Sequence, residues 1–155
     1  LNDKYDFLFS CPPYYNLEVY SENEEDISTM NYTDFLRDYR EIIRKSCDKL
    51  NDNSFAVFVV GEVREKGNYV GFVPDTIRAF QDAGMSYYNE MLLLQEPATA
   101  AMRAEKSMNA SRKVPKAHQN VLMFSKGSPQ KAAERMGKFP EPESPTDLTK
   151  HFNVV

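Results

Sequence analysis

The feature that most constrains the fold of this chain is an uninterrupted apolar run, SFAVFVV over residues 54–60. A strand with one face in water alternates apolar and polar residues, whereas a continuous run is typical of a strand covered on both faces. Such strands lie at the centre of α/β sheets that carry helices on their faces. Residues 54–60 therefore predict a central strand, which Gly61 ends.

Strand and helix patterns alternate on both sides of this run, which predicts an α/β sheet with crossover helices. Residues 4–10 have the pattern of a first strand. Residues 32–50 predict a helix, because Asn31 can cap its amino end and apolar side chains repeat along one face. The side chains predicted on the inward face are Phe35, Tyr39, Ile42, Ile43, Ser46 and Leu50.

The second half of the chain continues the alternation. Pro74 predicts the start of a second helix, and Gly84 predicts its end. Residues 86–95 and 118–127 predict two further strands, and residues 130–137 predict a short helix before a proline-rich tail. The segment between these strands, residues 96–116, has neither periodicity, and we predict an irregular loop there.

Composition narrows the class of protein. With 155 residues, 41% of them hydrophobic, the chain can form one domain with its own core. The net charge of −4 excludes a general binder of polyanions, so any contact with nucleic acid has to be local. Two cysteines do not make a disulfide framework and favour a reducing cytoplasm. No metal-ligand cluster is readable, and no apolar run reaches the roughly 18 residues of a membrane span.

A rigid polar loop follows the first strand, where the sequence reads CPPYY over residues 11–15. Two successive prolines fix their φ angles and stiffen the loop, while their carbonyls still accept hydrogen bonds. Cys11 is restricted to an extended conformation because it precedes a proline. Tyr14 adds an aromatic face on which a nucleobase can stack, so the loop predicts a pocket for a base with an amino group.

These residues resemble the signature of the DNA amino-methyltransferases, in which Asp, Asn or Ser precedes Pro-Pro and an aromatic residue at the end of a strand. Pro12, Pro13 and Tyr14 match that signature, and Cys11 stands where the acid, amide or hydroxyl residue is expected. A thiol is a weak hydrogen-bond acceptor, so this is a departure from the pattern. The longer stretch, residues 10–21, resembles methylases of phages and mobile elements, including restriction–modification systems, in which Cys is the usual residue at this place.

The resemblance implies a fold, a cofactor and a reaction. The fold is a Rossmann-like sheet, mostly parallel, with an antiparallel strand near the C-terminal end. The cofactor is S-adenosylmethionine, and its methyl group goes to the exocyclic amino group of an adenine or cytosine flipped out of DNA. The implied catalytic residues are Ser10, Cys11, Pro12, Pro13 and Tyr14, and the implied cofactor contacts are Ser10, Pro12 and Tyr15. Attack by the amino nitrogen is direct, so Cys11 is not predicted to form a covalent intermediate.

Basic residues in the second half predict contacts to the DNA backbone. They are Arg103, Arg112, Lys113 and Lys116 in the predicted loop. The resemblance implies that His118, at the start of the last strand, flanks the base pocket and contacts the flipped base or a phosphate. The alternatives are a solvated loop whose charge only serves solubility, and a structural histidine. Glu62, Arg64 and Asn120 are weaker candidates for the site. Glu62 and Arg64 are either an ion pair that lines the cleft or solvated loop residues.

The resemblance covers residues 5–127. The sequence has no counterpart of the glycine-rich cofactor loop that the family carries. None of the six glycines forms a Gly-x-Gly sequence. We therefore expect residues 1–127 to be the catalytic region only, inactive by itself, followed by a short helix and tail over residues 128–155. In related methylases the glycine-rich half comes earlier in the chain. The first strand is then expected at a sheet edge, where it favours a homodimer.

Two other functions remain open at the level of sequence. The first is a methyltransferase that acts on an RNA base or a protein glutamine, since related loops serve there too. The second is a binding module that keeps the fold without the chemistry. The sequence does not choose between adenine and cytosine as the methylated base.

Overall fold

The computed structural model describes residues 3–17, 19–23, 26–95 and 100–138. In chain order the main elements are β1 (Tyr5–Ser10), α1 (Tyr32–Asp48), β2 (Leu50–Val60), β3 (Arg64–Glu65), β4 (Asn68–Tyr69), α2 (Phe72–Asp82), β5 (Ser86–Leu94), α3 (Ala100–Ser111), β6 (His118–Lys126) and α4 (Pro129–Met136). Two short 3₁₀ turns, Tyr15–Leu17 and Ile27–Thr29, lie between β1 and α1. The predicted tail beyond residue 138 lies outside the described residues.

Four strands form one mixed sheet in the order β1-β2-β6-β5. β1 and β2 are parallel, and β6 runs antiparallel to both of its neighbours, β2 and β5. Three strands therefore run in one direction and β6 in the other. This arrangement confirms the predicted α/β class with one antiparallel strand near the C-terminal end.

The central position predicted for the apolar run is confirmed, but β2 begins earlier than predicted. The polar residues Asn51, Asp52 and Asn53 indicated a break after the first helix, yet they belong to the strand. The ladder with β1 is irregular there, since Tyr5 pairs with Leu50 and Phe7 with Phe55, so that four residues of β2 lie opposite one residue of β1. These residues thus form a bulge, and Asn53 has a φ of 57°, which asparagine tolerates better than most residues.

α1 packs on the sheet through a narrow seam. Phe35, Tyr39, Ile43 and Cys47 are buried at a spacing of four residues. Asn31 caps the helix as predicted, since its side-chain oxygen accepts the N–H groups of Thr33 and Asp34, both at 3.1 Å. The prediction that Ile42 and Ser46 face inward is wrong. Ile42 is 47% exposed and Ser46 is partly exposed, because each precedes a seam residue and is turned about 100° away from it.

α2 begins at Phe72 rather than at the predicted Pro74, because an acid outside the helix caps it. The Glu62 carboxylate accepts the N–H groups of Phe72 and Val73, at 3.3 and 2.9 Å. Such a contact satisfies donors that have no partner inside the helix. Gly84 follows the end of α2 with φ of 82°, as predicted for a helix stop.

The prediction of an irregular segment before β6 is wrong, because residues 100–111 form α3. Its sequence reads AAMRAEKSMNAS, which is rich in strong helix formers but lacks a regular apolar stripe. Propensity, and not amphipathic periodicity, was the signal for this helix. The remaining part of the segment, residues 112–117, is irregular as predicted.

β1 is an edge strand, since β2 is its only partner among the strands that the structure describes. Its alternate side chains Tyr5, Phe7 and Phe9 are 57%, 47% and 59% exposed. At the other edge, every residue of β5 has substantial exposure. In the described part of the chain, no helix is long and apolar enough to span a lipid bilayer.

Candidate active-site cleft

The Pro-Pro-Tyr loop leaves β1 at its carboxyl end, where the strands of an open α/β sheet place their ligands. Ser10, the last residue of β1, pairs with Phe58 near the end of β2. The loop borders a cleft of about 280 Å³ lined by Cys11, Pro12, Tyr14, Leu17, Tyr20 and Gln119. Gln119 comes from the beginning of β6, which meets the end of β2 because the two strands are antiparallel.

Tyr14 is fixed in the wall of this cleft by three contacts. Its hydroxyl donates to the Val59 carbonyl at 3.0 Å. Its ring lies 6.0 Å from the ring of Phe72, and a Cβ built on Gly61 would lie 3.5 Å from Cε2 of Tyr14. The ring therefore rests against the backbone that follows β2 and is positioned without a ligand.

Tyr15 points away from the cleft and into the core. It is 5% exposed, and its ring lies 5.2 Å from that of Tyr32 and 5.5 Å from that of Phe35. Its φ of 54° is unusual for a bulky residue and stores strain of about 1–3 kcal/mol. Packing of the ring balances that strain, so Tyr15 anchors the loop. Its role as a cofactor contact stays a prediction.

The two cysteines have opposite environments. Cys11 is exposed at the cleft, and Cys47 is buried in α1 with its sulfur 3.2 Å from that of Met85. Burial raises the pKa of the Cys47 thiol to about 11. Both are free thiols. The catalytic roles predicted for Ser10, Cys11, Pro12 and Pro13 stay predictions, although Cys11 and Pro12 do line the cleft.

A hydrogen-bonded turn holds the outer wall of the cleft. The Tyr20 N–H donates to Ser28 Oγ at 3.3 Å, and that hydroxyl donates to Asp26 Oδ1 at 2.7 Å. Ser21 Oγ donates to Asp26 Oδ2 at 3.0 Å. Hydrogen bonds from the Ser28 N–H and hydroxyl lower the pKa of Asp26. Sequence reasoning missed Tyr20 as a wall residue, although an aromatic side chain in a polar loop was the signal.

A second cleft of about 340 Å³ lies beside the same end of β6. It is lined by Glu62, Tyr69, Val114, Pro115, Lys116 and His118. His118 and Gln119 are consecutive strand residues and point to opposite faces of the sheet, so the two clefts adjoin across β6. Lys116 and His118 line this second cleft. Their contact with DNA stays a prediction.

The positions of Glu62 and Arg64 match neither alternative drawn from the sequence. Glu62 caps α2, as described above, and the two residues form no ion pair. The Arg64 guanidinium lies 3.8 Å from the centroid of the Tyr69 ring and donates to the Gly67 carbonyl at 2.9 Å. The hairpin formed by β3 and β4 accounts for this position, and nothing in the sequence had predicted that hairpin.

Asn120 belongs to a polar chain on β6 and β5. Lys116 Nζ donates to Asn120 Oδ1 at 3.2 Å, and Asn120 Nδ2 donates to Glu90 Oε1 at 2.6 Å. Tyr87 donates its hydroxyl to the other oxygen of Glu90 at 2.9 Å. Burial lowers the pKa of Lys116, and the Glu62 and Glu90 carboxylates oppose that shift. Asn120 therefore holds the Lys116 side chain at the second cleft.

The other predicted basic residues are not gathered in one place. Arg112 has φ of 54° and donates from Nη1 to the Met108 carbonyl at 3.2 Å, at the end of α3. Lys113 reaches the turn of the β3–β4 hairpin, where its Nζ would lie 2.5 Å from a Cβ added to Gly67. The side chain of Arg103 lies outside the described residues. Among the residues that the structure describes, no group of three or more His, Cys, Asp or Glu side chains could hold a metal ion.

The mixed sheet and its helices define an α/β domain with a Rossmann-like fold. No family model matches the chain, and no curated protein matches it either. Among solved structures it is similar to TTHA0409 of Thermus thermophilus, a protein assigned as a DNA modification methylase.

The similarity to TTHA0409 extends over almost the whole chain at low sequence identity. One crystal form gives a TM-score of 0.61 at 15% identity, covering 97% of this chain and 56% of that one. The complex of TTHA0409 with S-adenosyl-L-methionine gives a TM-score of 0.55 at 15% identity, covering 96% and 51%. This chain thus spans about half the length of the structures it matches. The likeness confirms the fold that the Pro-Pro-Tyr resemblance implied.

Proposed function

We propose that this chain forms the catalytic part of a DNA amino-methyltransferase, which methylates the exocyclic amino group of a flipped adenine or cytosine. The observation that carries the proposal is the position of the Pro-Pro-Tyr loop. In a sheet with the fold of a modification methylase, this loop places Cys11, Pro12 and Tyr14 around one cleft at the carboxyl end of β1. That cleft combines a fixed aromatic ring with backbone carbonyls, which suits a planar base with an amino group.

Each residue of the loop has a distinct part in this proposal. The Tyr14 ring stacks on the extruded base, an interaction worth about 1–3 kcal/mol. The Pro12 carbonyl, with the side chain of Cys11 or Ser10, accepts the hydrogens of the amino group and orients its nitrogen. Pro13 stiffens the loop. Catalysis then comes mainly from positioning of the amino nitrogen, and the base is flipped because that nitrogen is out of reach inside a duplex.

The described residues fit only one end of S-adenosylmethionine. When bound, the cofactor supplies the methyl group as a sulfonium. Ser10 and Pro12 would hold the methyl-donating end, with Tyr15 as the third contact, and the support for this is the position of Pro12 in the cleft wall. No Gly-x-Gly loop occurs in the sequence to approach the nucleoside end. We therefore expect residues 3–138 by themselves to transfer no methyl group.

The contacts to DNA belong to the second cleft. Lys116 and His118 line it, and Asn120 and Glu62 act through their hold on Lys116 and on α2. Arg112 and Lys113 are further candidates on separate parts of the fold, and Arg103 is a candidate from the sequence alone. Lys116 and His118 provide the local basic patch that binding needs, because the net charge of −4 by itself does not favour a polyanion. A reaction on DNA also fits the cytoplasmic location that the two free cysteines favour.

The test is transfer of labelled methyl from S-adenosylmethionine to unmethylated duplex DNA by the full-length protein. We expect Tyr14→Ala to lower kcat/KM by at least tenfold, while Tyr14→Phe keeps the ring and most of the activity. Tyr88→Ala removes an exposed ring of β5 and serves as the matched control. Nucleoside analysis of the labelled DNA then names the methylated base.

Other outcomes of the same assay would redirect the proposal. Transfer to RNA or to a protein glutamine, with none to DNA, would support the second substrate class. Absence of cofactor binding by the full-length protein would leave a binding module that keeps the fold without the chemistry. Equal activity of Tyr14→Ala and Tyr88→Ala would remove the cleft from the reaction.

A further inference from the structure

The β3–β4 hairpin is a projection beside the second cleft that the proposed reaction does not use. Residues 64 and 65 pair with residues 69 and 68, and the Val70 N–H donates to the Val63 carbonyl at 3.0 Å to close its base. Its turn consists of Lys66 and Gly67, with φ of 47° and 88°. The hairpin follows β2 directly, so it lies at the sheet end that carries the base cleft.

Arg64 is held on this hairpin in a fixed orientation. Its guanidinium lies 3.8 Å from the centroid of Tyr69 and donates one hydrogen bond, from Nη1 to the Gly67 carbonyl at 2.9 Å. An arginine carries five N–H donors, and a cation held on a ring loses little side-chain entropy when it binds an anion. Arg64 therefore presents further donors beside a fixed ring.

A second cation reaches the same turn from a different part of the chain. The Lys113 ammonium would lie 2.5 Å from a Cβ added to Gly67, so it lies close to the turn. Lys113 lies between α3 and β6, and the hairpin lies between β2 and α2. Two separate connections of the fold thus bring Arg64 and Lys113 together.

Arg64 and Lys113 differ in charge pairing from three arginines of the protein that are held by acids. Arg37, Arg44 and Arg135 lie 2.7–2.8 Å from carboxylate oxygens. Within the described ranges, no carboxylate oxygen lies within 4.0 Å of the nitrogens of Arg64 or Lys113. Two like charges held together without an acid, in a chain of net charge −4, form a site for an anion from outside.

We infer that Arg64 and Lys113 clamp a backbone phosphate of the DNA strand whose base enters the Tyr14 cleft. This inference rests on the proposed function for the identity of the anion. The second cleft is lined by Tyr69 of the hairpin together with Lys116 and His118, and His118 adjoins Gln119 of the base cleft along β6. A strand with one base at Tyr14 would pass the end of β6 and bring one of its phosphates to the hairpin.

The test is equilibrium binding of unmethylated duplex DNA by the full-length protein at several salt concentrations. The variants are Arg64→Gln, Lys113→Gln and the double variant, with Arg78→Gln as a control that removes an exposed cation of α2 having no ion pair in the described chain. We expect each single variant to weaken binding several-fold. The double variant should lower the slope of log K against log salt by at least about 0.9, the value for one phosphate. Thermal melting of each variant checks that it is folded.

The results separate this inference from the proposed function. Methyl transfer by the wild type, with both single variants binding DNA like Arg78→Gln, would overturn the phosphate clamp and leave the proposed function in place. Weaker binding with a smaller salt slope would support the clamp even if the wild type transferred no methyl group. A wild type that binds no DNA would overturn both.

Discussion

At the scale of single residues, the surroundings of a side chain, and not its residue type, decide whether it faces the cleft. Cys11 and Cys47 are chemically the same, yet Cys11 is exposed at the cleft. Cys47, in α1, is only 1% exposed and packs against Met85. Likewise Tyr14 borders the cleft while Tyr15 packs in the core. Neighbours in the sequence thus have separate parts, one facing the ligand and one anchoring the loop.

Selective alkylation tests the exposure of Cys11. We expect iodoacetamide at pH 8 to modify Cys11 and to leave Cys47 unmodified, because burial keeps the Cys47 thiol protonated and out of contact with the reagent. Mass spectrometry of tryptic peptides measures both sites. Denatured protein, in which both thiols react, is the control. Protection of Cys11 by an oligonucleotide would place a ligand in the cleft, and rapid labelling of Cys47 would contradict the packing of α1.

Several predictions of residue position depended on the local environment. The sequence identified Cys11, Pro12 and Tyr14 because the proline pair and the aromatic residue are adjacent. It did not identify Gln119 or Tyr20, because the antiparallel register of β6 and the turn at Asp26 bring them to the cleft. A local sequence pattern does not show which residues from distant parts of the chain meet across the sheet.

At the scale of elements, the turn from Tyr20 to Ser28 behaves as a small unit whose centre is Asp26. Its carboxylate accepts the Ser28 N–H at 2.9 Å together with two serine hydroxyls. The Ser28 side chain is buried, and it holds the backbone of Tyr20 at the cleft wall. The position of one wall of the cleft therefore depends on one carboxylate.

Replacement of Asp26 tests that dependence. We expect Asp26→Ala to increase the rate of limited proteolysis within residues 19–30 and to raise KM for DNA several-fold with a smaller change in kcat. Asp34→Ala, on an exposed face of α1, is the control. The lowered pKa of Asp26 adds a pH test: its contribution is present above the ordinary value near 3.9 and is lost as the pH falls through the lower folded value. Unchanged proteolysis would show that the turn does not need the carboxylate.

The predicted elements were found where periodicity and packing agree. Residues 54–60 of β2, the strand β6 and the helices α1, α2 and α4 follow apolar patterns that the core uses. β1 and β5 were also predicted as strands, although most of their side chains are exposed. α3 and the β3–β4 hairpin do not have such patterns. The first forms through helix propensity and the second is only two residues long on each side, so neither buries a repeating stripe that a sequence could reveal.

At the scale of the whole molecule, tyrosine hydroxyls link the layers. Tyr32 of α1 donates to Asp75 of α2 at 2.7 Å, and Tyr39 shares a hydrogen bond with Thr76 at 3.2 Å. Burial, with the Asp75 contact for Tyr32, raises the pKa of both phenols well above the ordinary value near 10. Burial and the Glu90 contact raise the pKa of Tyr87 to about 12.

These shifts predict a loss of stability in alkali. A raised folded pKa means that the stabilisation is complete below pH 10 and is lost as the pH rises through the folded values. We expect the free energy of unfolding, measured with urea, to fall steadily above pH 10. Tyr87→Phe removes one of the three phenols whose pKa is raised. The free energy of unfolding of this variant should therefore fall less steeply between pH 10 and 12. A flat profile up to pH 12 would contradict the buried hydrogen bonds.

Self-association through β1 is a second prediction for the whole molecule. An edge strand with unpaired backbone groups and exposed Tyr5, Phe7 and Phe9 favours pairing with another chain. We expect light scattering on residues 1–155 to show a mass above that of a monomer, and Phe7→Lys to reduce it. The matched change Ile42→Lys replaces an exposed apolar residue of α1 and should have no effect. A monodisperse monomer would contradict the prediction.

The Tyr15 anchor has a consequence for the thermodynamics of ligand binding. Because its ring packs against both Tyr32 and Phe35, the loop loses its conformational freedom when the chain folds and not when a base arrives. Calorimetry on the full-length protein should therefore show only a small entropic penalty for occupying the Tyr14 cleft. Tyr15→Ala removes the anchoring ring, so the loop would then be ordered only when the ligand binds. We expect this variant to show a larger entropic penalty of binding, a slower association rate and a lower affinity.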